Sequence, residues 1–159
     1  MSFLFSPLYI VLVCSVLLSA LPPALVHGKD LDPTKFASTV LDDDRVWLVE
    51  FYSSMCGGCQ EFASTWGRIE NYYSKSSDGV IASGKINIDK KEGLKVAEEL
   101  GVLDDGVPHV RLFTKKGDRT GSIVVKSDSA FDYKKITDKI NKMSHGLKRK
   151  KDGHFSKEL

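Results

Sequence analysis

Val46-Trp47-Leu48-Val49-Glu50-Phe51-Tyr52-Ser53-Ser54-Met55-Cys56-Gly57-Gly58-Cys59 is the stretch whose reading decides the fold. It begins as an apolar and aromatic run broken by one acid, passes through a short polar turn, and ends in two cysteines separated by two glycines. After Cys59 the apolar period changes: Phe62, Trp66, Ile69 and Tyr73 recur at helical spacing, so Cys59 extends the buried stripe of a helix beginning near Gly57. The stretch predicts a buried strand, a tight turn and a helix whose first turn carries the thiols. Amides at a helix start lack internal partners and carry partial positive charge, which favours an anion there. A thiol in that position ionises more easily, and the thiolate is the species that attacks a disulfide or binds a metal. Cys56 lies just outside the first turn, facing those amides and solvent; Cys59, one turn further in, is shielded. An exposed sulfur with a second sulfur three residues away suits thiol–disulfide exchange, the outer one opening a disulfide and the inner one resolving the mixed disulfide.

The flanking sequence predicts a compact α/β arrangement. Asp32-Pro33 is a helix start, a capping acid followed by proline at the first position, and Phe36, Val40 and Leu41 give that short helix an apolar face. Asp42-Asp43-Asp44 makes a solvated turn before the central strand. The cysteine-bearing helix runs to about Tyr73, and residues 74–79 form a polar loop. A second strand spans 80–89, with Ile86 and Ile88 on one face. A helix over 92–100 turns Leu94, Ala97 and Leu100 inward and stops at Gly101. After a loop over 102–107 come Pro108, a strand over 109–113, a turn at Lys116-Gly117-Asp118 and a strand over 122–126, the two strands forming a hairpin. Tyr133, Ile136, Ile140, Met143 and Leu147 line the last helix. A near-continuous apolar strand requires helices on both faces of its sheet.

The 159 residues and formal net charge of +2 suit one ordinary domain preceded by a leader. Residues 3–25 are almost wholly apolar, and Pro22-Pro23 and Gly28 precede the first charges, so 1–28 reads as a secretory signal peptide cut near Gly28, with Ala20 as an alternative cut. An uncleaved membrane anchor is the competing reading, because the apolar run is nearly long enough to span and lacks a basic start. Loss of the leader removes Cys14 and leaves Cys56 and Cys59 in a compartment where disulfides persist. A bridge closing so short a loop adds little stability, which argues for a working pair. Two thiols fall short of the four ligands of a closed zinc site, so no metal is expected. No repeat and no coenzyme-binding glycine loop is present, and a nucleic-acid partner does not fit a secreted chain. His27, His145 and His154 fall in the ends and take no role; Trp66, Tyr72 and Tyr73 read as helix core and rim.

Phe-Tyr-x-x-x-Cys-Gly-x-Cys after an apolar strand, with Gly106-Val107-Pro108 about fifty residues later, resembles the thioredoxin fold, and more closely the catalytic domains of protein disulfide isomerases. Trp66, the run Ile86-Asn87-Ile88-Asp89-Lys90 and Gly101-Val102 fall in the same order. The resemblance covers residues 30–143. It implies a thioredoxin fold over 29–147, with a central mixed sheet flanked by helices on both faces, and a thiol–disulfide oxidoreductase or isomerase whose only cofactor is the Cys56/Cys59 dithiol itself. It implies a cis Pro108 beside Cys56, leaving the carbonyl and amide of Val107 to pair with an extended substrate, where an edge-strand trans proline is the plain alternative. It also makes Glu50, a buried carboxylate of raised pKa, the acceptor of the Cys59 proton; the alternative is an edge-strand glutamate reaching solvent. Substrate would rest on Met55, Gly57, Gly58, Val107 and Pro108.

Several positions depart from the family pattern. Gly58 replaces a histidine, which predicts a less oxidising pair; Met55 replaces a tryptophan, Ser64 a helix proline, and Phe131 stands near the place of an arginine that helps the inner thiol ionise. Asp104-Asp105 lengthens the loop before Val107 and would disfavour a nearby thiolate. Strand alternation points His109 across the sheet rather than at the sulfurs. These losses support a second reading, a client-binding escort with a vestigial pair. Expected partners are cysteine-containing clients and a redox partner, either glutathione or an oxidase, with the chain monomeric and free of the membrane once the leader is removed. Residues 148–159 read as a basic polar tail. Ser156-Lys157-Glu158-Leu159 shares only its last two residues with the usual retrieval signal. The endoplasmic reticulum lumen therefore follows from the resemblance, and secretion is the alternative.

Overall fold

The computed structural model describes residues 29–75, 81–145, 147–149 and 155–157. The leader assigned to 1–28 lies outside these residues. Four strands form the main sheet: β1 (Val46–Tyr52), β2 (Ile81–Asn87), β3 (His109–Phe113) and β4 (Ser122–Val125), in the spatial order β2-β1-β3-β4. β1 runs parallel to β2 and antiparallel to β3, and β3 pairs antiparallel with β4, so the sheet is mixed and β1 is central. Helices α1 (Gly57–Lys75), α2 (Lys91–Glu99) and α3 (Tyr133–Ser144) cover it, and a one-turn helix, Val102–Asp105, precedes β3. This is the thioredoxin fold that the resemblance implies.

Alternation along β1 divides the core in two. Val46 and Leu48 join Phe62, Trp66 and Ile69 of α1 and Ile136 and Ile140 of α3 on one face. Trp47, Val49 and Phe51 join Phe36, Val40, Val96, Ala97 and Val102 on the other. Every residue from Val46 to Phe51 is buried, as a strand sandwiched between two helical layers must be.

Local structure departs from expectation in four places. Asp32 caps as predicted, accepting from the Thr34 amide at 3.0 Å, but the segment is a 3₁₀ turn (Pro33–Lys35) followed by a wide turn, Ala37–Leu41, closed by Asp42 N–H on Ala37 O. The wider winding brings Phe36, Val40 and Leu41 onto the sheet together. In α2 the buried face is Gly93, Val96 and Ala97, while Leu94 is 38% exposed. A Cβ at Gly93 would lie 2.0 Å from the Asn87 carbonyl oxygen, so the glycine must face β2, and that roll turns Leu94 outward. The expected loop over 102–107 contains the one-turn helix between Gly101 and Gly106, both at positive φ. Finally, α3 ends at Ser144. Leu147 sits on a short strand, β5 (Leu147–Arg149), paired with β6 (Phe155–Lys157), so part of the predicted solvated tail is an antiparallel ladder. Leu147 still packs against the first core.

Candidate active site

The C-terminal end of β1 delivers the turn that carries the thiols. Ser54 is tied to the turn that follows the neighbouring strand β2: its amide and hydroxyl both donate to Asp89 Oδ2, at 2.8 and 2.5 Å, and Gln60 Nε2 donates to the Ser54 carbonyl at 3.0 Å. Hydrogen bonds from Ser53 and Ser54 hold the Asp89 carboxyl below its ordinary range. The Cys56 carbonyl accepts from Gln60 N–H at 3.1 Å, the first bond of α1, so Cys56 occupies the capping position. Its sulfur takes the role of a capping side chain, accepting from Cys59 N–H at 3.1 Å. The same sulfur donates to the Val107 carbonyl at 3.5 Å, across a Val107–Pro108 bond that is cis.

Both thiols are free; Cys56 is half-buried and Cys59 only 4% exposed. Burial pushes the Cys59 thiol up to about 12, with the hydrogen bond to Cys56 and the charges of Cys56 and Glu50 adding to the effect. The inner sulfur thus needs a base. Glu50 is 3% exposed on a central strand, which removes the edge-strand alternative. Burial raises its carboxyl to about 8, Lys85 opposes the rise, and Glu70 and Asp30 add to it. Glu50 and Lys85 are register partners across β1 and β2. Lys85 itself lies over the Tyr52 ring at 5.0 Å, with Nζ 3.9 Å from Asp30 Oδ1.

The expected substrate contacts divide. Met55 is 85% exposed beside Cys56, Gly57 borders open space, and Pro108 is buried. Neither Gly57 nor Gly58 has positive φ, so their use is spatial rather than conformational. The Val107 side chain packs on the second core, so what it offers the sulfur is its carbonyl. His109 is fully buried on the opposite face, edge-on to Phe51, with Nε2 accepting from Arg111 Nε at 3.1 Å. Burial and the Arg111 charge lower it to about 4, so it is neutral and removed from the sulfurs. Asp105 likewise acts on His109 and Arg111. Among the described residues no cluster of metal-ligating side chains occurs, and no helix is long and apolar enough to cross a membrane.

Sequence pattern alone gives no role within the site to Lys85, Asp89 or Phe131. Lys85 is visible there as a lone cation in a strand, and Asp89 as the acid ending the run Ile86-Asn87-Ile88. Phe131 stands out only as a replacement.

A family model described as thioredoxin matches residues 28–142. Protein disulfide-isomerase 1 of Dictyostelium discoideum is 33% identical over 127 residues, which cover 80% of this chain and 32% of that protein. Protein disulfide-isomerase A6 of Mus musculus is 28% identical over 132 residues, 78% of this chain and 28% of the relative. The chain therefore spans about a third or less of these relatives' length. Among solved structures, the Trx4 domain of ERdj5 superposes with a TM-score of 0.59 at 24% identity, over 76% of this chain and 98% of that domain, a likeness of fold.

Proposed function

The chain belongs to the thioredoxin family, and from that premise we propose that it is a thiol–disulfide oxidoreductase or isomerase acting on proteins through the Cys56/Cys59 dithiol. The relatives with which it shares this domain are named protein disulfide-isomerases, which supports thiol–disulfide exchange as the family's chemistry. One observation carries the reading for this chain: among the described residues one accessible thiol, at a helix start, receives an amide N–H and lies against the carbonyl before a cis proline, with a raised-pKa carboxyl buried nearby.

Cys56 attacks a client disulfide as the thiolate, forming a Cys56–client bond and breaking the client S–S bond; the departing client sulfur takes up a proton. Cys59 then gives its proton to Glu50 and displaces the client from Cys56. The pair ends as a disulfide, and its two electrons have reduced the client; the reverse sequence oxidises one. The dithiol is the sole redox group this exchange requires. Met55, Gly57, Gly58 and Pro108, with the Val107 backbone, seat the client. A redox partner, glutathione or an oxidase, resets the pair. The resemblance to protein disulfide isomerases is the ground for placing the chain in the endoplasmic reticulum lumen rather than outside the cell, and the working unit we propose is a single copy of the chain.

Insulin reduction by the protein compared with Cys56→Ser tests the proposal. Turnover that disappears with Cys56 is expected; equal turnover by both would favour a client-binding escort with an idle pair, to which the exposed Met55 is also suited. Cys59→Ala should trap clients as reducible adducts through Cys56. Adducts that require Cys59 instead would reverse the two roles.

A further inference from the structure

Phe131 reaches the site from the other end of the chain. It directly precedes Asp132, whose side chain caps α3 by accepting from Lys135 N–H at 3.0 Å. Phe131 and Ile136 therefore occupy the N′ and N4 positions at which a hydrophobic staple forms; Ile136 is buried in the first core and Phe131 packs against that core. Two further contacts fix it: its carbonyl accepts from Thr65 Oγ1 at 3.3 Å, and its ring lies 5.0 Å from that of Phe62, three residues beyond Cys59. The edge of this ring borders the thiol turn. A Cβ placed on Gly58 would lie 4.0 Å from Phe131 Cζ, 3.5 Å from Pro108 Cδ and 4.0 Å from Cys56 Sγ. The attacking sulfur, the proline ring and the aromatic ring thus surround one small space, which stays open because residue 58 has no side chain. Phe131 is only half-buried, so part of the ring faces that space.

We propose that Phe131 is a specificity-determining residue: an aromatic wall beside Cys56 that selects disulfides flanked by apolar side chains over disulfides flanked by carboxylates, glutathione disulfide included. This rests on the redox reading of Cys56 and names the substrate class of that site. A client side chain next to the attacked sulfur enters the space over Gly58 and meets hydrocarbon on two sides, from Phe131 and Pro108. An apolar group gains burial and ring contact there, whereas a carboxylate loses water and finds nothing in the wall to pair with. The wall is held by α3's start and by Phe62, so it presents one shape. Met55, exposed on the turn, can adapt to what remains. Of the two expected redox partners, this favours an oxidase, which presents a protein disulfide, over anionic glutathione.

The test is single-turnover reduction by prereduced protein of two peptide disulfides that differ only in flanking leucines or glutamates, with glutathione disulfide as a third substrate. The wild type is expected to prefer the leucine peptide by about tenfold, the size of one good apolar contact. Phe131→Leu should keep most of that preference. Phe131→Ser should reduce it to about twofold, and Phe131→Lys should favour the glutamate peptide and glutathione disulfide. A purely structural role in the staple would change the melting temperature and slow all three substrates alike; a preference unchanged in the serine and lysine variants overturns the proposal. If the wild type reduces none of the substrates, the redox reading itself fails, an outcome distinct from a wild type that reduces all three without preference, which overturns the wall alone.

Discussion

Glu50 is placed where folding works against its ionisation. The carboxyl titrates near 8 in the folded chain, chiefly through burial, against 4.5 for the free side chain. An unfolded chain therefore gives up this proton at a lower pH than the folded one. Below about 4.5 both states hold it and Glu50 costs nothing. As pH rises from there to about 8 only the unfolded state is relieved of it, so the contribution of this group to stability declines through that window and levels off above it. Glu50→Gln should remove the decline, leaving the variant more stable than wild type by a few kcal/mol at pH 8, since a tenfold difference in proton affinity between the two states is worth about 1.4 kcal/mol. Denaturant titrations of both proteins at pH 5 and pH 8 check this; because His109, lowered to about 4 by burial, stabilises both of them as pH rises, the readout is their difference, and an advantage of the variant that does not grow from pH 5 to pH 8 contradicts it. The same carboxyl predicts a kinetic signature. A base must be ionised to accept the Cys59 proton, so release of mixed disulfides should accelerate as pH rises through about 8. In Glu50→Gln that acceleration should be lost, while the rate of mixed-disulfide formation stays the same. Release rates with parallel pH profiles in the two proteins would remove Glu50 from the mechanism.

At the scale of elements, α2 shows where sequence pattern suffices and where it does not. Its existence and its stop at Gly101 follow from apolar spacing and a glycine at positive φ. Its roll does not, because the deciding contact is Gly93 against the Asn87 carbonyl, and a residue without a side chain contributes nothing to an apolar count. Gly93→Ala should therefore destabilise by about 3 kcal/mol, the cost of forcing an extra carbon into a packed junction. Thermal melting measures it, and a shift of less than a degree or two would mean α2 can lift freely from the sheet. β1 and the start of α1 lie at the opposite extreme: a continuous apolar run, a turn and a change of period specify both elements and the placing of each sulfur. Lys85 beside Glu50 depends on the register of two parallel strands, and Phe131 beside Cys56 depends on the docking of α3. Neither relation is encoded in any local window. They arise only once the layers close, which is why the site's chemistry is legible in sequence and its walls are not.

For the molecule as a whole, the sheet separates two cores that share no member, yet every apolar residue of β1 from Val46 to Phe51 serves one or the other. Losing either layer would expose half of the central strand, so the layers should unfold together. Leu48→Ala on one face and Phe36→Ala on the other should each cost about 2–5 kcal/mol and, in combination, add. The double variant should still melt in a single transition by both far-UV and near-UV circular dichroism; two transitions would show that one layer can detach.

The proton held by Glu50 also alters how the protein migrates in an electric field. The formal charge of +2 counts every glutamate as anionic, yet a carboxyl titrating near 8 is mostly neutral at pH 7, so Glu50 withholds most of its negative charge from the folded chain there. On a native gel at pH 7, Glu50→Gln should therefore run level with its parent, and a variant band displaced toward the cathode would show the buried carboxyl to be charged. Electrophoretic mobility thus offers a direct view of a single buried hydrogen without labelling any atom.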